Sequence, residues 1–494
     1  MKKVLAFILA ALMVLSLAAC QTKPTEKPDD GGQKTEAPTE KPTEKPTDKP
    51  VDPTTQAPEP PAEVITVKYF CSIGAYLDTL TALVNEFNEG EGKQKGVYIE
   101  LESEIEDPTG VMDANVAAGN YPDIFTSANP NLERYAKGYY YNLYDVQDED
   151  LQQLIKNAQP YIDASFDTFG VSADHFLCSI PLEVLPIKMP INLDLFKEAN
   201  LEEPKTWDDV LNAAEKITAL GKEGTKGFGW STWSAVWRRL TFKANLPSAR
   251  KAWWDPNTAT YDWTQYRPVI EAEIKMFQEG WMLGADDLGI DPIRSEFSAG
   301  HVGMFVSPSY DYGVFTNQFP ATCDWKFINM PVYKEGNTYK GAYFSRGGHA
   351  IFKQAYEEAD QAKKDAIETA YCFIEGDYVV KKCAETGALI PFPGRFTDVD
   401  YSGLNPQFAQ MADVEGFAPV PVYPDSIVTP FLDGADNYAK VFNAVMHGTY
   451  EGGLDKAFTD LADLYNGAYA KAKADPEVAP LLGMYEYDYV FKGE

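Results

Sequence analysis

The stretch "AAGNYPDIF" at residues 117–125 decides the fold. Small residues run into Gly119, a residue suited to the left-handed position just past a helix end. Pro122 cannot continue a helix and pushes Tyr121 into an extended conformation. Asp123-Ile124-Phe125 then begins a short buried strand, so a helix over about 109–118 stops abruptly and hands over to a strand. Upstream, "VYIELE" (97–102) reads as a strand and "GEGKQKG" (90–96) as the turn before it. Leu77, Leu80, Val84 and Phe87 recur at spacings of three and four, one face of a helix. "VITVKYF" (64–70), β-branched and aromatic, reads as the first strand. Strand, helix, strand, helix, strand is the alternation of an α/β domain with a mostly parallel sheet. In such sheets ligands bind beyond the carboxyl ends of the strands. That places Ser72 to Tyr76 and Ser127 to Asn129 along one cleft, with Tyr76 and Asn129 as candidate ligand-binding residues.

Further along, "SIPLEVLPIKMPINLDLF" (179–196) is apolar and extended, interrupted by Pro181, Pro186 and Pro190. Thr206 is placed to cap the next helix, with Asp209 at the third helical position as an Asp version of the capping box. Val210, Ala213, Ala214, Ile217 and Leu220 form the apolar face of that helix. "GLDKAFTDLADLYNGAYAKA" (453–472) reads as another amphipathic helix.

Before Val64 nothing reads as fold. Lys2 and Lys3 precede the apolar run "VLAFILAALMVLSLAA" (4–19), which is shorter than the roughly 20 residues of a membrane span and reads as an export signal over 1–19. It ends "LAAC", which resembles the lipobox of bacterial lipoproteins, and the resemblance implies cleavage before Cys20 and a lipid on its thiol. Residues 20–62 are a Thr/Pro/Lys/Glu tether with the near-repeat "PTEKPTEKPTDKP" (38–50). It has too few apolar side chains for a core and is expected to be disordered. Fully polyproline II, it would reach on the order of 130 Å.

The formal net charge is −31, of which residues 21–62 carry only −3, so the acidity belongs to the remainder. Such a surface argues against nucleic acid as a partner, because phosphates require neutralising Lys and Arg. Of six cysteines, Cys20 is the expected lipidation site, which leaves Cys71, Cys178, Cys323, Cys372 and Cys383. An odd number without CxxC supports neither a disulfide framework nor a zinc site, and buried free thiols are expected. The sequence holds no HExxH, no G-x-S-x-G and no Walker loop. His175, His301, His349 and His447 lack metal-ligand spacing. No metal and no cofactor are expected.

Six pieces in order and spacing resemble the extracellular solute-binding proteins of ABC transporters, the family that includes the maltose-binding protein. They are "LTALVNEFNE" (80–89), "AAGNYPDIF", "RYAKGYYYNL" (134–143), "INLDLFKEANLEEPKTWDDVLNAAEKIT" (191–218), "FSAGHVGMFVSPSYD" (297–311) and "TGALIPFP" (386–393). Ile191, Ala199-Asn200 and the tyrosines of "GYYYNL" depart from the family pattern. The resemblance implies a two-lobed periplasmic-binding-protein-like fold of type II, each lobe a mostly parallel sheet flanked by helices, with a ligand cleft between them. Residues 63–185 plus 345–392 are expected to form the N-terminal lobe and 186–344 plus 393–494 the C-terminal lobe. Crossovers are expected near 184–190, 340–346 and 391–396.

Sugars present C–H patches on their ring faces and hydroxyls at their edges, which proteins meet with flat aromatic rings and planar polar groups. Aromatics concentrate in "GFGWSTWSAVW" (227–237), "AWWD" (252–255) and "PSYDYG" (308–313). Most tryptophans are expected in the core; Trp233 is the candidate for the cleft. The resemblance makes Tyr310 the stacking aromatic, since it follows Gly303-Met304 where the family has Ala-Met and then an aromatic. Ser307 and Asp311 beside it are expected to bond hydroxyls. Glu183 lies in one presumed crossover and Arg346 in another, where Gly347-Gly348 would allow close backbone approach of a ligand. The expected function is a lipid-anchored, monomeric solute-binding protein on the outer face of the bacterial cytoplasmic membrane. It would capture a carbohydrate and deliver it to the permease subunits of an ABC importer, without enzymatic activity. Two other readings stay open at this point: a surface-anchored glycoside hydrolase using paired carboxylates, and a non-transport surface carbohydrate-binding or sensor module.

Overall fold

A computed structural model describes residues 64–104, 107–126, 134–135, 137–169, 176–231, 237–284, 290–333, 339–396 and 398–486. In chain order the strands among them are β1 (Ile65–Cys71), β2 (Val97–Ser103), β3 (Ile124–Thr126), β4 (Pro181–Asn192), β5 (Lys226–Gly229), β6 (Trp254–Asp255), β7 (Thr260–Tyr261), β8 (Met282–Leu283), β9 (Val302–Met304), β10 (Ser307–Pro308), β11 (Trp325–Ile328), β12 (Gly341–Gly347), β13 (His349–Ile351) and β14 (Phe417–Pro419).

The first sheet has the order β13-β3-β1-β2. β1 runs parallel to β2 and β3, and β13 closes the edge antiparallel to β3. The helix Leu77–Glu89 buries Leu80, Leu83, Val84 and Phe87 against it. The segment expected as a plain turn at 90–96 instead winds a short helix, Glu91–Lys95, closed by Gly96 at φ +70°. Alternation along β1 separates two cores: Val67, Tyr69 and Cys71 enter the main one, Phe70 a smaller one with Met112, Phe125 and Phe352.

The opening stretch behaves as its chemistry dictates. The helix Pro108–Ala117 ends, and Gly119 follows at φ +74°. Tyr121 stacks on Phe352 at 5.1 Å. Asp123 then stitches the sheet edge: its N–H donates to Lys68 O at 2.9 Å, and its Oδ2 accepts from Lys68 N at 2.7 Å.

The second sheet has the order β14-β12-β4-β9-β5-β8, with β10 and β11 also paired to β4. β5, β8 and β9 are parallel. Thr206 and Asp209 form a reciprocal capping box at the start of the helix Trp207–Thr218, which buries Val210, Ala213, Ala214 and Ile217.

β4 joins the two halves. All 12 of its residues are buried. Leu182 and Val184 pack in the core of the first sheet; Ile187, Met189 and Ile191 pack in the core of the second. β12 runs antiparallel beside it, and Pro391 bridges to Glu183 as a third passage. The core of the first sheet continues along β4 beneath the second, taking in Trp325 and Phe327 of β11, while Ile328 faces the other core. The result is two α/β lobes hung on shared crossing strands. All five described cysteines are free. Among the described residues no helix is long and apolar enough to cross a membrane.

Candidate functional site

The parallel strands β1, β2 and β3 end on the same side of their sheet, and the loop after β1 is fixed there. Thr126, the last residue of β3, accepts from Ser72 N at 3.2 Å through Oγ1 and donates to Phe70 O at 3.3 Å. Tyr76, one turn further on, is only 2% exposed and packs edge-on against the His349 ring at 6.4 Å. His349 is itself buried in a polar relay. The Tyr69 hydroxyl lies 2.6 Å from its Nε2, and Glu375 Oε1 lies 2.9 Å from its Nδ1 and 2.6 Å from its backbone N. This relay changes the reading of the glycine pair after Arg346. A Cβ on Gly348 would sit 1.6 Å from Glu375 Oε1. The close approach that requires glycine there is made by a buried carboxylate of the protein itself, not by a ligand.

The crossing ribbon carries the next two candidates. Glu183 and Arg346 are directly paired in register between β4 and β12. Glu183 is buried near the helix Asp377–Glu385. Burial, followed by the Glu183 carboxylate and Cys71, pushes the Cys383 thiol up to about 12. Phe344 lies on β12, two residues before Arg346. Lys243 Nζ sits over the Phe344 ring at 4.5 Å and over Tyr423 at 5.1 Å. This cation–π cluster escaped the sequence reading, because Lys243 and Tyr423 belong to distant segments and no local pattern links them.

The remaining described candidates gather at the corner after β10. β10 pairs with Lys188 and Ile187 of β4, so the corner is mounted about 13 Å along the crossing strand from Glu183. Ser307 and Asp311 are both fully buried. Ser307 Oγ donates to Asp311 Oδ2 at 2.8 Å, and Arg294 Nη2 donates to Asp311 Oδ1. Both carboxylate oxygens are therefore committed, which corrects the expectation that Asp311 bonds hydroxyls of a ligand. Burial raises the Asp311 pKa above the ordinary carboxylate value, although Arg294 opposes the shift. Tyr310 is half-buried, with the Arg294 guanidinium over its ring at 5.7 Å. Arg294 carried no sequence signal: it is an ordinary-looking cation on the helix Ile290–Ser298.

The structure thus brings Ser307 and Tyr310 together, and pairs Glu183 with Arg346 on the ribbon that carries them. Tyr76 lies buried behind the β1 loop. Asn129, Trp233 and Cys20 lie outside the described residues. Trp230, Trp237, Trp253 and Trp254 all pack in the second core, as expected for most tryptophans. Among the described residues no group of three or more His, Cys, Asp or Glu side chains is arranged to hold a metal ion. At the corner after β10 the arrangement offers an aromatic ring beside a buried ion pair, Arg294–Asp311.

Residues 74–366 match the sequence profile of a family described as bacterial extracellular solute-binding protein. No curated protein matches the chain. Among solved structures, the cyclic alpha-maltosyl-1,6-maltose binding protein of Arthrobacter globiformis superposes with a TM-score of 0.63 at 19% identity, over 83% of this chain and 100% of that one. The GacH receptor of Streptomyces glaucescens, solved unliganded and in complex with acarbose, gives 0.60 at 16% identity, over 82% and 97%. The maltose/maltodextrin-binding domain MalE of Bdellovibrio bacteriovorus, bound to maltotriose, gives 0.59 at 14% identity, over 83% and 100%. At these identities the likeness establishes the fold, the two-lobed type II architecture.

Proposed function

The chain belongs to the bacterial extracellular solute-binding protein family, and from that premise we propose that it captures an oligosaccharide between its lobes and hands it to an ABC importer. The observation that carries this reading is the pair of crossing strands, β4 and β12, that join the two sheets. Such a body can close about strands that bend while each lobe stays rigid. Ligand touching both lobes stabilises the closed form, a population shift with hinge closure. The neighbours bound to acarbose and to maltotriose support a sugar as the guest.

In this reading 63–185 plus 345–392 form one lobe and 186–344 plus 393–494 the other, with Tyr310 as the stacking ring and Glu183 and Arg346 on the floor of the cleft. Ser307 acts through Asp311, and Tyr76 by backing the β1 loop. Asn129 and Trp233 complete the two walls. Cys20 carries the lipid anchor, the tether holds the body off the membrane, and the protein binds its sugar without turning it over.

A thermal-shift screen of oligosaccharides, including maltotriose and raffinose, tests the reading, because a ligand that binds only the folded state raises its stability. A saturable rise with no release of reducing sugar is expected; turnover, or no response to any sugar, would sink it. Tyr310→Ala should weaken binding of the responding sugar by about 1–3 kcal/mol while the fold survives. Unchanged affinity by calorimetry would remove Tyr310 from the site.

A further inference from the structure

Tyr310 is held by a side chain that the sequence reading passed over. Arg294 lies on the helix Ile290–Ser298, whose Ile293 and Phe297 are fully buried. Ile293 packs against the ends of β5 and β8: a Cβ on Gly229 or Gly284 would lie 2.5 or 2.3 Å from it. The backbone of Arg294 is therefore fixed to the carboxyl edge of the second sheet. Its side chain is 12% exposed. Nη1 donates to Asp291 Oδ1 at 2.8 Å on its own helix, and Nη2 donates to the fully buried Asp311. Nε takes no acceptor among the described residues, so the two terminal nitrogens and the Tyr310 ring hold the guanidinium. Asp311 in turn is tied to Ser307, whose strand is paired to β4.

We infer that Arg294 is a positioning residue for ligand, resting on the reading of Tyr310 as a sugar-stacking ring. The guanidinium, 5.7 Å from the centre of that ring and tied to the neighbouring Asp311, restrains the orientation in which the ring meets a sugar. Two rigid mounts meet at this ion pair, the helix on the ends of β5 and β8 and the β10 corner on β4. The pair therefore sets the distance between the stacking ring and the crossing ribbon. Lysine cannot replace this arrangement, because a compact ammonium cannot span two carboxylates and stay against the ring at once. It can still neutralise Asp311, which would otherwise be left as an uncompensated buried charge.

Arg294→Lys is therefore the informative variant, with the paired change Arg294→Gln/Asp311→Asn as a second form that leaves no buried charge. Binding of maltotriose and raffinose is measured by calorimetry in the native background and in Tyr310→Ala. Arg294→Lys should weaken binding about three- to tenfold in the native background, the range of a cation–π contact. In Tyr310→Ala it should change affinity by less than about twofold, since residues acting through one contact are not additive. Equal losses in both backgrounds, or none in either, overturn the inference. A readout without ligand separates this from failure of the sugar reading. A fluorinated tyrosine at 310 should show a shifted, sharper resonance in Arg294→Lys and in the paired variant, with denaturation midpoints close to the parent. If native protein binds neither sugar, the ligand reading fails, and an unchanged fluorine spectrum would still refute the restraint of the ring by Arg294.

Discussion

Glu273 sits fully buried on the helix Arg267–Gln278, where the Thr241 hydroxyl lies 2.9 and 3.1 Å from its two carboxylate oxygens. Burial pushes this carboxyl well above its ordinary range. The sign of the consequence follows from proton counting. Above about pH 4.3 the unfolded chain releases the proton that the folded protein still holds, so stability falls as pH rises towards the raised folded value. Glu273→Gln should remove that loss: in melts the variant gains on the parent as pH rises and converges with it near pH 4. Parallel curves across the range would show that Glu273 is not the group responsible. Nothing in the sequence marks Glu273, since 74 acids look alike until a core closes around one of them. The same holds for Gly348, read as a place for a ligand to approach. Its partner Glu375 lies far along the chain, and only the fold brings the two together. Tyr310, by contrast, was singled out by its place after Gly303-Met304, which the family resemblance marks through a local pattern.

At the scale of elements, local rules held where the determinants are neighbours. The Thr206–Asp209 box forms as read: Thr206 Oγ1 accepts from Asp209 N at 3.1 Å, and Asp209 Oδ2 accepts from Thr206 N at 2.9 Å. Thr206→Ala should cost about 1 kcal/mol, seen as a lower urea midpoint at unchanged slope; an unchanged midpoint would mean that packing alone holds the helix start. β4 departs from its reading. The prolines expected to interrupt it do not, because an antiparallel neighbour asks for an N–H only from alternate residues, and the rest of the strand supplies the pairing. The reading also extended the apolar run through Phe196. The chain instead turns helical at Leu193, where the Asn192 side chain accepts from Leu195 N at 3.1 Å. Lys188 within β4 could not be read as buried. Its Nζ donates to the Asp413 carbonyl at 2.7 Å and lies over the Phe417 ring, and burial lowers its pKa to about 8.

For the whole molecule, the proposed closure predicts a smaller radius of gyration in small-angle scattering when a responding sugar is added. An unchanged radius at saturation would leave binding without the hinge. The alternation of strands and helices, the stop at Gly119, the caps and the chain order of the family-like pieces were settled by sequence alone, because each depends on backbone preferences and side chains within a few residues of one another. Only the tertiary structure decided which candidates meet. It set Glu183 against Arg346 on the ribbon, turned Asp311 and Ser307 inward to hold Arg294, and placed that guanidinium on Tyr310. Those contacts join segments that are remote in the chain, and a charge or a ring acquires its role only when folding has chosen what lies on its other side.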